Sequence, residues 1–411
     1  MKKFLCILTV LLAGRLSAQV PTTPEYRANR QFEQLGTELP TPNPYRAASG
    51  APGPAYWQQR ADYDIRVELD DEKQRITGSE VVSYTNRSPD VLTYLWLQLD
   101  QNIFAKNSDA KMSQTGKLGE NAGFPSLGFV MNAAFDGGFK ITSVKDQAGK
   151  PLRYVINQTM MRLDIPQPLK PGASYAFAVE WNYNVTEHNK LGNAPGNGRM
   201  GFEHFPKDGN NLYEIAQFFP RMAVYDDVNG WQHKQFLGQG EFTLPFGDYR
   251  VAITVPNDHV VAASGELQNA RQVLTPAQVR RWEQAKNTKD PIAIVTQQEA
   301  EQAETRRPTG KKTWVYVARN VRDFAFAASR KFIWDAKQTE VAGKKIWCMS
   351  YYPKEGNPLW GKYSTRAVEH TLKSYSNHTV NYPYPVAISV HGPVGGMEYP
   401  MICFNGGRPE A

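Results

Sequence analysis

Glu398 stands one residue behind two adjacent glycines, in the run Val394-Gly395-Gly396-Met397-Glu398-Tyr399. A carboxylate so placed can neutralise an ammonium group. The paired glycines let a backbone come close to a ligand, or adopt positive φ, without a clash at Cβ. A short apolar run from Val386 to Val390 reads as a strand entering this turn, and Met401 to Phe404 as a strand leaving it. The arrangement suits an extended peptide laid along a strand edge, its charged amino end paired with a partly shielded Glu398 carboxylate. On composition alone, a plain structural turn is the default reading of a Gly-Gly-x-Glu string.

Gly395-Gly396-Met397-Glu398 resembles the Gly-x-Met-Glu-Asn exopeptidase motif of the aminopeptidase N family of zinc metallopeptidases, with Tyr399 where that family usually has Asn. By this resemblance Gly395, Gly396 and Met397 would line the backbone of a peptide substrate, and Glu398 would bind its free α-amino group. In the family, a loop of the β-domain supplies a glutamine near that amino end. Gln217, in Gln217-Phe218-Phe219-Pro220-Arg221, is the candidate here, although its spacing to Asp226-Asp227 is shorter than the usual pattern. A buried edge punctuated by Pro220 is the competing reading. The family's second signature, His-Glu-x-x-His, is absent through Ala411. The resemblance implies zinc as cofactor, with its ligands, the general-base Glu and the transition-state Tyr expected beyond Ala411. It also implies the removal of N-terminal residues from peptides, with this chain by itself expected to be inactive. The alternative is a secreted, β-rich peptide-binding module without catalysis.

A chain of 411 residues, 41% hydrophobic and 21% charged, has room for two or three soluble domains. Its net charge is +7, and Lys2, Lys3 and Arg15 lie in a segment expected to be removed. The remaining excess is too small to indicate nucleic acid, and no basic run with interleaved aromatics supports that partner. Residues 1–18 read as a signal peptide. Lys2-Lys3 form the charged start, Phe4 to Ala13 an apolar core too short to span a bilayer, and Ser17-Ala18 a small-residue cleavage site. No other stretch reads as transmembrane, so the expected destination is the periplasm or the outside of the cell. Cys6 leaves with the signal. Cys348 and Cys403 each lie in an apolar, strand-like context and read as buried free thiols, with a mutual disulfide as the alternative. The seven histidines are scattered. His370 and His378 read as a solvated helix face, and His391 as a packing residue before the glycine turn.

The elements that must position these residues are mainly β. Residues 19–55 form a Pro-rich, extended lead-in. From residue 56 to 352 short strands alternate with turn signals. Tyr63, Ile65, Val67 and Leu69 share one face, as do Tyr175, Phe177, Val179 and Trp181, and Tyr249, Val251, Ile253 and Val255. This predicts a large antiparallel sandwich or saddle, the β-domain of the family resembled. A charged helical pair, about 274–307, interrupts the rhythm, with Thr275 capping one helix and Thr296 with Glu299 at capping-box spacing for the other. Residues 353–411 would begin an α+β, thermolysin-like catalytic domain. There Pro358 opens a helix to about Ser376, with Trp360, Tyr363, Ala367, Val368, Thr371, Leu372 and Tyr375 on its packing face.

Overall fold

The structure is a computed structural model that describes residues 42–113, 135–188, 199–238, 240 and 242–409. The expected signal peptide and the lead-in through residue 41 lie outside the described residues. The chain divides into two compact units, Met1–Tyr56 and Trp57–Ala411. In the first, the Asn43 side chain accepts from the backbone N–H groups of Tyr45 and Arg46 at 2.8 and 2.9 Å, closing a local turn.

The second unit is predominantly β. Its largest sheet has seven strands, in the order Glu266–Leu267, Lys311–Val321, Gly247–Pro256, Arg60–Asp70, Arg75–Thr85, Ser174–Asn184, Lys140–Asp146. Neighbours run antiparallel except Arg60–Asp70 beside Gly247–Pro256, which are parallel. Alternation along each strand turns one face inward. Ala61, Tyr63, Ile65, Val67 and Leu69 are buried while Asp64, Arg66 and Glu68 are exposed or half-exposed. A four-stranded sheet containing Leu92–Gln98 and Met160–Leu169 contributes Leu95, Leu97 and Leu163 to the same core. The Trp181 indole N–H, deep in that core, donates to the Phe218 carbonyl at 2.9 Å. This ties the large sheet to the segment leading into Pro220. A second four-stranded sheet has the order Val260–Ala263, Phe326–Ser329, Asn210–Ile215, Gly201–Phe205.

The last sheet has six strands, in the order Ile292–Val295, Ile333–Val341, Lys344–Tyr352, Val386–His391, Ile402–Asn405, Met397–Tyr399. It is mixed: Val386–His391 lies between two parallel neighbours, and the outer pairs are antiparallel. Strands from both sides of residue 352 therefore share one sheet.

Two expectations are corrected, in the insertion and in the C-terminal helix. The insertion carries the expected Thr275 cap on α1 (Pro276–Ala285), completed to a capping box by Gln278, and the expected Thr296–Glu299 capping box on α2 (Gln297–Glu304). Between them, however, Ile292–Val295 joins the six-stranded sheet as an edge strand rather than continuing a helix. Trp282 of α1 stacks on Trp347 at 3.9 Å between ring centroids and lies 5.0 Å from Trp334. The C-terminal helix α3 (Leu359–His378) has Pro358 as its cap rather than its first residue. On α3, Trp360, Thr365 and Leu372 are buried, whereas Tyr363 and Tyr375 of the expected packing face are exposed. Cys348 and Cys403 are both free. They pair with Ala387 and Ser389 on opposite sides of the Val386–His391 strand. With strands about 4.8 Å apart, that strand holds the two thiols beyond disulfide reach.

Candidate functional site

Val386–His391 is buried at every position. That is the pattern of a strand covered on both faces, and it explains the continuous apolar run in the sequence. The strand delivers the chain to Gly392, where the backbone meets the carboxyl group of Glu214 from the Asn210–Ile215 strand. The Val394 N–H donates to Glu214 Oε2 at 2.9 Å. Gly395 and Gly396 follow, both exposed, and an added methyl at either would meet nothing within 4 Å. Gly396 has φ +156°, a conformation that side chains resist. The chain then returns as Met397–Tyr399, antiparallel to Ile402–Asn405, with Glu398 opposite Cys403. Pro400 and Met401 make the intervening turn. Met401 takes φ +67° with its side chain anchored in the core, and its carbonyl accepts from the Ile388 N–H at 2.9 Å.

Met397–Tyr399 is the outermost strand of its sheet, bonded on one side only. Met397 and Tyr399 pack toward the main core, and Glu398 between them is exposed. The Tyr399 hydroxyl donates to the Arg199 carbonyl at 3.2 Å and its ring lies 5.5 Å from Phe404. Tyr399 thus holds the edge strand down.

A cleft of about 460 Å³ opens beside this strand and is lined by Met397, Glu398 and Gln217 together. The structure therefore brings the two polar candidates from distant parts of the chain to one cavity. Gln217 is 6% exposed and sits at φ +51°, and its side-chain oxygen has no hydrogen-bond partner among the described residues. Its backbone carbonyl accepts from Gln101 Nε2 at 3.2 Å. Beneath it lies an ion triad. Arg221 donates to Asp100 from Nε and Nη2 at 3.1 and 2.9 Å, and to Asp323 from Nη1 at 2.5 Å. Burial pushes the Asp323 carboxyl above its ordinary value, against the opposing pull of the Arg221 charge. Arg199 and Arg322 also line the cleft. Arg199 lies over the Phe236 ring, and Arg322 lies over Phe246 and donates to Thr243. Formal charges across the cavity balance, so any preference for an ammonium group comes from local contacts at Glu398 and Gln217 rather than from a net field.

The sequence suggests a partly shielded Glu398, whereas the side chain is open to water. An exposed ion pair contributes only about 0.2–1 kcal/mol. The stronger contact, about 1.5–3 kcal/mol for a hydrogen bond to a charged group, requires a ligand that covers the edge strand as it binds.

Glu214 and the Asp100–Arg221–Asp323 triad were not among the sequence candidates. Their signal is nonetheless present, because Glu214 and Arg221 are the charged residues in a run from Leu212 to Val224 that is otherwise apolar apart from Gln217, and buried charges require partners. His391 is buried against Trp360, with ring centroids 4.8 Å apart. Burial, and next the Arg408 charge, push it down to about 4. His370 and His378 are exposed. A larger cavity of about 750 Å³ lies elsewhere, at Asp71 and Arg330. Its buried ion cluster is already engaged, since Arg330 holds Asp71 at 2.8 Å and Asp258 at 2.9 Å. Among the described residues, no three His, Cys, Asp or Glu side chains are grouped so as to hold a metal ion. No described helix is long and apolar enough to cross a membrane.

No protein-family profile and no curated protein matches the chain. Among solved structures it is similar to an M1 zinc metallopeptidase from Deinococcus radiodurans, at 13% identity and a TM-score of 0.47, over 85% of this chain and 59% of that one. It is also similar to a two-domain M1 zinc metallopeptidase, a glutamate-to-alanine mutant bound to L-tryptophan, at 13% identity and a TM-score of 0.48, over 86% and 62% of the two chains. The chain thus spans about three fifths of the length of the structures it matches.

Proposed function

We propose that the cleft captures the free amino end of an extended peptide, as the recognition part of an exported, zinc-dependent aminopeptidase. The observation that carries this reading is the unpartnered, buried Gln217 amide oxygen lining the same cavity as Glu398, beside a strand with one unpaired edge. A peptide backbone added along Met397–Tyr399 would complete that edge. Its ammonium group would take Glu398 as counter-ion and Gln217 as a neutral acceptor. The peptide's own bulk would exclude water from Glu398, raising the contact above its exposed value.

Zinc finds no ligand set among the described residues, so no bond-breaking step is derived from them. Removal of the N-terminal residue is proposed for the protein, with metal and base supplied by residues outside the set described. Export rests on the Lys2-Lys3 start and the apolar run behind it. N-terminal sequencing of the protein from its native host, beginning near Gln19, would support it.

The cleft is tested by calorimetric titration with a tripeptide in free-amino and N-acetylated forms. The free-amino form is expected to bind at least about tenfold more tightly, a difference near 1.4 kcal/mol, and Glu398→Gln should erase most of it. Equal binding of the two forms by the unaltered protein would overturn the reading.

A further inference from the structure

We infer that Glu214 is a positioning residue, fixing the recognition turn at Gly392–Val394 against the same strand end that carries Gln217. The inference deepens the peptide-amine reading of the cleft and rests on it for its functional meaning. Its structural content stands on separate observations.

Glu214 lies in a strand buried along its whole length and is itself 0% exposed. Its Oε2 accepts the Val394 N–H at 2.9 Å, while its Oε1 has no partner among the described residues. For fold stability alone this is a poor choice, because a buried carboxyl group with half its capacity unmet carries a desolvation cost that an apolar side chain avoids. Burial, opposed by the Val394 hydrogen bond and reinforced by the nearby Glu203 charge, holds the group well above the ordinary carboxyl range. Glu203 is itself committed to Arg408 at 2.6 Å and does not relieve it.

The turn is shaped to receive this carboxyl group. A methyl at Gly392 would fall 2.5 Å from each of its oxygens, so only glycine leaves the space it occupies. The strand partners of Glu214 are Gly201 and Ala327, the first without a side chain and the second with a methyl only. Immediately after Val394 come Gly395 and Gly396, exposed and uncrowded, which do nothing to hold the turn in place. The Gly392 N–H reaches the Asn405 carbonyl at 3.3 Å, and past that point the hydrogen bond to Glu214 fixes the near end of the turn, while the hairpin with Ile402–Asn405 fixes the far end. Gln217 stands three residues past Glu214 on the same segment. Glu214 in this way sets the distance between the two groups that would share a ligand's ammonium.

The test compares the unaltered chain with Glu214→Gln, Glu214→Ala and Gly392→Ala. Amide hydrogen exchange by mass spectrometry is followed across residues 392–396 and, as an internal reference, across Arg75–Thr85 in the large sheet. Glutamine keeps a carbonyl acceptor in the same place and should leave exchange within about twofold of the parent. Alanine at 214, or a methyl at 392, should speed exchange of the turn at least tenfold while the reference strand changes little. Binding of a free-amino tripeptide should weaken about tenfold in the same two variants and survive in Glu214→Gln. Unchanged turn exchange in both Glu214→Ala and Gly392→Ala would overturn the positioning role, as would glutamine behaving like alanine. Loss of the free-amino preference in the unaltered chain would instead remove the peptide-amine reading, and the exchange rates would still decide whether Glu214 fixes the turn.

Discussion

Glu80 sits in the middle of the Arg75–Thr85 strand, 2% exposed, with neither carboxyl oxygen bonded among the described residues. Burial alone raises its proton affinity well above the ordinary value of 4.5. The folded chain therefore keeps a proton that the unfolded chain releases. Stability contributed by this group is complete below pH 4.5 and is lost as pH rises toward the folded value. Glu80→Gln should stabilise the protein at neutral pH, with an advantage that grows from pH 4 toward 8 by up to about 1.4 kcal/mol per unit; thermal melts across that range check it. Arg221 behaves oppositely. Arg221→Met would strand Asp100 and Asp323 as buried, uncompensated carboxylates, and should cost about 3–5 kcal/mol in urea unfolding. At this scale Glu398 and Gln217 were singled out through the resemblance of their segments to a known motif and loop, and what the structure adds is that both line one cavity. Glu214 was not, since its partners are the backbone at Gly392 and Val394, which the chain order places far away.

Among the elements, the helical insertion shows how local and nonlocal signals separate. Its capping boxes are written in neighbouring residues, and both formed. Its edge strand Ile292–Val295 is a four-residue apolar run, too short for periodicity to distinguish strand from helix. Glu299 supports the whole insertion. It receives the Thr296 N–H at 2.8 Å and binds Arg281 of α1 through both oxygens, at 2.7 and 2.5 Å. Glu299→Ala should cost about 1–2 kcal/mol, combining a lost cap with a lost interhelix pair, and hydrogen exchange should quicken in α1 and α2 first. For α3 the three- and four-residue periodicity correctly marked a helix but overstated its buried face. Leu372 packs on the sheet, while Tyr363 is exposed and Tyr375 borders a groove of about 630 Å³ that also reaches Glu398.

At the scale of the molecule, the alternation of apolar residues made the mainly β architecture readable, but not which strands share a sheet. The parallel pairing of Arg60–Asp70 with Gly247–Pro256 joins segments far apart in the chain. The six-stranded sheet likewise straddles residue 352. A chain shortened to residues 57–352 would turn Lys344–Tyr352 into an uncovered edge bearing Trp347, Cys348 and Tyr351, all buried in the parent. It should elute from size exclusion as aggregates, whereas residues 57–409 should elute as a compact species. A monodisperse shortened chain would show that the β-rich part folds without the strand that leads into Gly392.

The stack of Trp282 on Trp347 has an optical consequence. Two indoles at 3.9 Å, nearly parallel at 15°, share their electronic transitions and should produce an exciton couplet in the far-ultraviolet circular dichroism. One ring belongs to α1 of the insertion and the other to the sheet strand Lys344–Tyr352. The couplet would therefore report whether the insertion is docked on the sheet, independently of overall helix content. Trp282→Phe should abolish it without altering the rest of the spectrum, giving a spectroscopic handle on a region otherwise remote from the cleft.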